Sequence, residues 1–262
     1  MNESILNLHP GILIGFAVTV IILLLLDLGI FNKKSHIISS KEATWWTIAW
    51  ISLSMIFSGV IYYIFNQDVG GHKLAIDKFT EYQAAYWIEK ALSVDNLFVF
   101  ILVFKFFKVP REFHHKVLFY GIIGALVFRA IFIFTGIGII NMTYLPSLEL
   151  LGETVRINVV LTLFGFFLLY AGIKSWGNKH ESENQDFSDS AGARLVKKLY
   201  KVSDGYDGDK FFTIQNGIRV ATPLMVVVSV IEFTDLIFAV DSIPAIFAIS
   251  SDPFILYTSN IF

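Results

Sequence analysis

"EKALSVDNLFVF", residues 89–100, sets Glu89, Asp95 and Asn96 inside a long apolar stretch, and "DLIFAVDSIPAI", residues 235–246, does the same with Asp235, Asp241 and Ser242. Each twelve-residue word opens with an acid, carries Asp at its seventh position and follows that Asp with a small polar residue. Carboxylates are rare at membrane depth because lipid cannot solvate them. Two copies of one acidic word in apolar surroundings therefore point to a repeated element built around a shared site.

The surroundings are those of a membrane protein. The chain has 262 residues, of which 55% are hydrophobic, 16% aromatic and 16% charged, and its mean hydropathy is +0.65. That balance lies far from a soluble domain's. A net charge of −2 gives no basic surplus for a phosphate backbone, so nucleic acid is not an expected partner. With no cysteine, disulfides, thiolate metal sites and thiol redox chemistry are excluded together. Any site must be built from oxygen and nitrogen.

A span needs roughly 20 apolar residues. On that measure helices are expected near 11–31, 43–65, 82–104, 117–140, 156–174 and 222–249, with a seventh from 254 to 262 that is too short to cross, as if the sequence stopped partway through it. The first apolar run ends at Asp27 without a basic leader or a small-residue cleavage pattern, so it reads as a retained helix. The fold class is all-α: one polytopic transmembrane bundle of at least seven helices.

Basic residues orient it. Segments 32–42, 105–116 and 175–221 carry three, four and, with Lys174 at the edge, eight Lys or Arg, fifteen in all, against Lys73 and Lys78 on the other side. Cytoplasmic loops retain Lys and Arg, so the N-terminus is expected outside, 175–221 forms a cytoplasmic loop, and the protein belongs in the cell's inner (plasma) membrane. The third helix then runs inward and the sixth outward. The two acidic words form an inverted-topology repeat, an arrangement that surrounds midplane sites in secondary transporters.

Within the long loop, "GNKHESENQDFSDSAG" is polar and short of aromatics, while "ARLVKKLYKV" suits a basic amphipathic turn or two at the membrane surface. Asn216-Gly217 between apolar flanks signals a hairpin, and Thr222-Pro223 an N-cap followed by the first helical residue. The acids of "DGYDGD", 204–209, are misspaced for an EF-hand loop and read as a solvated turn.

On a regular helix Glu89 and Asn96 share a face within about 60°, with Asp95 about 120° from Glu89. On the sixth helix Asp235 and Ser242 align, Glu232 lies about 60° to one side, and Asp241 about 120° to the other. Counted from the expected membrane boundaries, Asp95 and Asp235 fall near the centre, and Glu89 and Asp241 nearer the outside. Pro244 removes a helix hydrogen bond and frees the Val240 carbonyl beside Asp241.

Five acids facing lipid would cost on the order of 15 kcal/mol, at roughly 3 each. They must face one another, a cation or protons. Lys90 and Arg129 are the bases at that depth: Lys90 reads as snorkelling outward, and Arg129 as a counter-charge that orients one acid in preference to a transport gate. At least three acids remain over, a place for a divalent cation and protons. The six histidines lie in loops or at their edges, so hard oxygen ligands suit Mn, Mg or Ca alike. Candidate metal residues are Glu89, Asp95, Asn96, Glu232, Asp235, Asp241 and Ser242. Asp27 is either an interface anchor or part of a cytoplasmic route to the site, and His114-His115 reads as solvated charge. Gly11-x-x-x-Gly15 could permit close helix packing.

"EKALSVDNLFVF", "ATPLMVVVSVIEFTDLIFAVDSIPAIFAI" and "DPFILYTSNIF" resemble the TerC family of integral membrane proteins, most closely its Alx-type branch, from Asp27 to the last residue. The resemblance implies membership of the LysE-like exporter superfamily and an association with manganese efflux and, by name, with tellurium resistance. In the family pattern the membrane acids are the suspected metal site, and they fall on the seven residues named above. This sequence stops where family members continue for further helices. Direct tellurite chemistry fits poorly, because oxyanion reduction wants thiols or a redox cofactor and oxyanion binding wants basic groups.

The expected function is export of divalent metal cations, with Mn2+ as the transported ion implied by the resemblance, protons as a candidate counter-ion, lipid as the environment and no permanent cofactor. The alternative is a non-transporting membrane pH or metal sensor, or a partner protein linked to tellurium resistance. An enzyme, namely an intramembrane aspartyl protease using Asp95 and Asp241, is disfavoured: neither helix has a Gly-x-Gly-Asp pattern, and the other acids would go unexplained.

Overall fold

A computed structural model of the chain describes residues 10–29, 39–67, 71–150, 153–177 and 186–262. Among these residues are eight α-helices: α1 (Pro10–Gly29), α2 (Ser40–Gln67), α3 (Gly71–Phe106), α4 (Arg111–Met142), α5 (Val159–Gly177), α6 (Ala191–Leu199), α7 (Pro223–Phe247) and α8 (Pro253–Ile261). Two short antiparallel hairpins join them, β1 (Leu148–Leu150) with β2 (Glu153–Val155), and β3 (Phe212–Gln215) with β4 (Ile218–Ala221). By length and apolarity α2, α4 and α7 can each cross a membrane, and α1 and α5 hold shorter apolar stretches.

The centre of the bundle is α7, against which α3, α4, α6 and, more loosely, α5 pack. Its start follows local rules, with one substitution of partner. Pro223 occupies the first turn after Thr222, but the Thr222 hydroxyl donates to the Lys210 carbonyl (2.7 Å) rather than capping the helix. α8 is capped by Asp252, whose carboxylate accepts from the Phe254 N–H (3.0 Å) ahead of Pro253.

The third helix is longer than apolarity alone suggests. It begins at Gly71 rather than near residue 82, and within its charged first part Ala75 and Lys78 face the bundle while Lys73 and Asp77 are exposed. Lys78 is buried and pairs with Glu81 (2.9 Å) and Asp252 (4.0 Å), and Ser250 donates to Glu81 (2.6 Å). A hydropathy window discards residues whose charges are satisfied by partners far along the chain.

Contacts also fix direction. The start of α3 meets the segment after α7 through Lys78 and Asp252, while its end, Val103 and Phe104, shares a core with Leu224, Val226 and Val227 at the start of α7. The helices carrying the two acidic words therefore run antiparallel. α4 runs parallel to α7, approaching it at three glycines: a Cβ on Gly121 would lie 3.2 Å from Ile231, one on Gly136 2.7 Å from the Phe247 ring, and one on Gly124 would collide with the Glu232 carboxylate.

At the α7 start the segment 186–221 forms a packed cap. Ala193 and Val196 of α6 join Phe187 in the core beneath Val227 and Val230, and Gly192 lies directly against the Ser229 backbone. The expected basic amphipathic turn is thus a docked helix of nine residues. Asn216 and Gly217 both have positive φ (52° and 77°), which fits the two-residue hairpin. "DGYDGD" is pinned rather than freely solvated. Asp209 accepts from Lys116 (2.8 Å), a bond that holds its carboxyl below the usual range, Asp207 accepts from Thr213 (2.7 Å), and Tyr206 donates to the Phe107 carbonyl (2.8 Å). Much of the polar run before it, residues 178–185, lies outside the described residues.

α5 is the least packed element. Leu163, Phe166, Tyr170 and Ile173 are 64–75% exposed, as expected of side chains that meet lipid. It starts at Val159 and not 156, so Arg156 lies before the helix, stacked over the Tyr144 ring at 5.3 Å. Nothing packs on Gly11 or Gly15 among the described residues. His114 bonds the Val109 carbonyl (3.0 Å) and stacks on Phe104 (4.2 Å between centroids), so its ring is part of the packing at the α3–α4 connection.

Candidate metal centre

Four helices converge on one guanidinium. Arg129, buried on α4, donates through Nη1 to Glu89 Oε1 on α3 and to Asn260 Oδ1 on α8 (2.9 Å), and through Nη2 to Asp235 Oδ1 on α7 (3.4 Å). Glu89 and Asp235 are the opening acids of the two repeated words. The inverted repeat therefore closes on a shared cation, and Arg129 binds an acid from each half rather than orienting one.

This pairing corrects the depth count. With α3 beginning at Gly71, Glu89 is level with Asp235, and Asp95 is not. Asp95 lies six residues further along α3, and Asp241 six residues further along the antiparallel α7. At 1.5 Å per residue each backbone position is about 9 Å from the central pair, in opposite directions. The acids form a ladder about 18 Å long instead of one midplane cluster. The side chains of Asp95 and Asp241 lie outside the described residues.

Beside the central pair is a cavity of about 230 Å³, lined by Tyr86, Glu89, Lys90 and Ser93 of α3, Arg129, Asp235 and residues of α8. Several buried polar atoms find no hydrogen-bond partner among the described residues: Glu89 Oε2, Glu232 Oε2, Tyr86 Oη and Ser242 Oγ. Such atoms are costly unless something satisfies them. Glu232 sits one turn before Asp235, in the space left by Gly124. Asn96 and Ser242 are buried. Among the described residues no group of three His, Cys, Asp or Glu side chains is gathered closely enough to hold an ion. The seven candidate residues are thus strung along two helices, with Glu89 and Asp235 joined through Arg129 at the centre and Glu232 one turn before Asp235.

Lys90 is half-buried and stands over the Tyr86 ring at 5.8 Å, beside the cavity. Val240 and Pro244 border a separate, almost wholly apolar cavity between α4, α5 and α7, and α7 stays helical through Pro244 to Phe247. Asn260 is the site residue that sequence reading missed. Its signal was a lone amide after Thr258 and Ser259, in a segment that opens with a capping Asp252 and Pro253.

The fold and this site define a multi-spanning helical membrane protein whose two antiparallel repeat helices meet at a buried carboxylate pair that shares one arginine. The chain belongs to the integral membrane protein TerC family, whose profile matches residues 74–262. Relatives include an "Uncharacterized membrane protein STKORF319" from Myxococcus xanthus, 38% identical over 97% of this chain and 72% of its own length. A protein of Escherichia coli K12 named "Putative membrane-bound redox modulator Alx" is 38% identical over 95% of this chain and 72% of its own. An uncharacterised membrane protein from Rickettsia bellii is 37% identical over 94% and 74%. No solved structure matches the chain.

Proposed function

We propose that the protein exports divalent metal cations, with Mn2+ as the transported ion and protons as the counter-ion, and that the carboxylates of α3 and α7 are its ligands. One observation carries this reading: buried carboxylate exceeds buried cation at the centre. Glu89 and Asp235 share a single guanidinium, and Glu89 Oε2 and Glu232 Oε2 remain without a partner among the described residues. Oxygen atoms in that number suit a hard divalent ion, and carboxylates that release it can take protons in its place. A ladder of acids offers successive stations across the apolar layer.

The test is Mn2+ flux in vesicles holding the full-length protein, with Mg2+, Ca2+ and Zn2+ compared. Asp235→Asn keeps the shape and removes a charged ligand, so flux should fall at least about tenfold, the scale on which metal sites respond even to lost supporting partners. Unchanged flux in this variant would sink the reading. The closed Arg129 cluster favours one rival, a sensor that uses these acids as a switch, which would bind metal or protons and carry no flux.

A further inference from the structure

Building on the transport reading, we propose that Arg129 is a tethered stand-in for the transported cation: it occupies the central carboxylates when metal is absent and is displaced when metal binds. The geometry has the features of a filled cation site. Glu89 from one repeat half and Asp235 from the other both turn an oxygen to the same guanidinium, and the neutral Asn260 supplies a third. These acceptors are carboxylate and amide oxygens, the ligands a hard divalent ion takes. Arg129 occupies one oxygen of Glu89 and leaves the other unpartnered among the described residues.

An arginine cannot yield the site by losing its proton, because its guanidinium stays charged at any working pH. It must move, and the cavity of about 230 Å³ that it lines with Lys90 and Ser93 offers room beside the acids. Lys90 is drawn to the Tyr86 ring, and no hydrogen bond joins it to these acids among the described residues. Metal binding then becomes an exchange of one cation for another at the same oxygens. Two consequences follow. Arg129 competes with the ion and lowers its affinity, helping release. Once the ion leaves, Arg129 returns to the pair and offsets one of its two charges, so the empty carrier can reorient without two bare carboxylates at membrane depth. Without it, the emptied carrier would have to leave both carboxylates bare or wait on protons for both, so ion-for-ion exchange would outpace net efflux.

Full-length protein, reconstituted in lipid, would be measured for Mn2+ binding and for two fluxes: net efflux into a metal-free compartment, and exchange of radiolabelled Mn2+ for unlabelled Mn2+. Arg129→Met should bind Mn2+ at least about tenfold more tightly, since a competing charge at contact distance is gone, should keep exchange, and should slow net efflux relative to exchange. Arg129→Lys, which retains a cation but not the fork, should bind with intermediate affinity and recover net efflux. A purely structural arginine predicts the opposite: affinity unchanged or weaker, and both fluxes falling together. If Arg129→Met does not fold, Arg129→Lys decides alone, and an affinity no tighter than wild type overturns the proposal. Failure of the wild-type protein itself to bind Mn2+ would instead remove the transport reading on which this one rests.

Discussion

Arg129 and Lys78 are both buried bases in a membrane bundle, and the comparison shows what each is for. Lys78 faces Glu81 and Asp252 far from the repeated acids, at the junction of α3 with α8, and every partner it has there is structural. Removing it strands charge. Lys78→Met should cost about 3–5 kcal/mol, the usual penalty for breaking a buried pair from one side, and adding Glu81→Gln should recover part of that loss. Thermal unfolding of the purified variants would check this, and a single variant as stable as wild type would show the cluster to be solvated. Arg129 differs in facing more acid than it can neutralise. The sequence showed that imbalance plainly, since five acids and two bases could be counted at membrane depth. It could not show which acids the arginine takes, because that depends on the register between α3 and α7.

Register is a property of elements, and here hydropathy misled by a specific route. Local signals read well: Asn216-Gly217 turns a hairpin, Pro223 opens α7 and the basic stretch at 191–199 forms an amphipathic helix. The start of α3 did not, because Lys78 and Glu81 look like loop residues until Ser250 and Asp252 arrive to partner them. That one shift placed Asp95 level with Asp235 on paper, where the fold puts Glu89. The glycines that set helix spacing were also illegible, since a glycine reveals its use only when its neighbour is known. Gly124 receives the Glu232 carboxylate, whereas Gly138 on the same helix has nothing within 4 Å. Gly124→Ala should therefore force the Glu232 carboxylate out of its place, at the low end of the about 1–3 kcal/mol that overpacking costs because the colliding group ends a flexible side chain. Gly138→Ala should be neutral or stabilise by up to about 1 kcal/mol through helix propensity. Equal melting shifts in the two variants would argue against close contact at Gly124.

For the whole molecule the question is which way the bundle sits, because an acidic ladder exports or imports only relative to a membrane with sides. The fold sorts the ends. One carries the α6 helix and the β3–β4 hairpin, with Arg194, Lys197, Lys198, Lys201, Lys210 and Arg219, and beside them Lys105, Lys108, Arg111 and Lys116 at the α3–α4 connection. The other carries the β1–β2 hairpin, where Arg156 against Tyr144 adds one base to the sparse side, and Lys78, which is buried in ion pairs. Even with Arg156 counted there, the asymmetry that retains basic segments in the cytoplasm stands. The absence of cysteine makes the prediction simple to test, since any labelling must come from an introduced thiol. Gln215→Cys and Ser147→Cys are exposed positions at opposite ends. In intact cells an impermeant maleimide should label Ser147→Cys and reach Gln215→Cys only after the membrane is opened. The reverse pattern would turn the bundle over and put the Asp241 end of the acidic ladder, not the Asp95 end, at the cytoplasmic face.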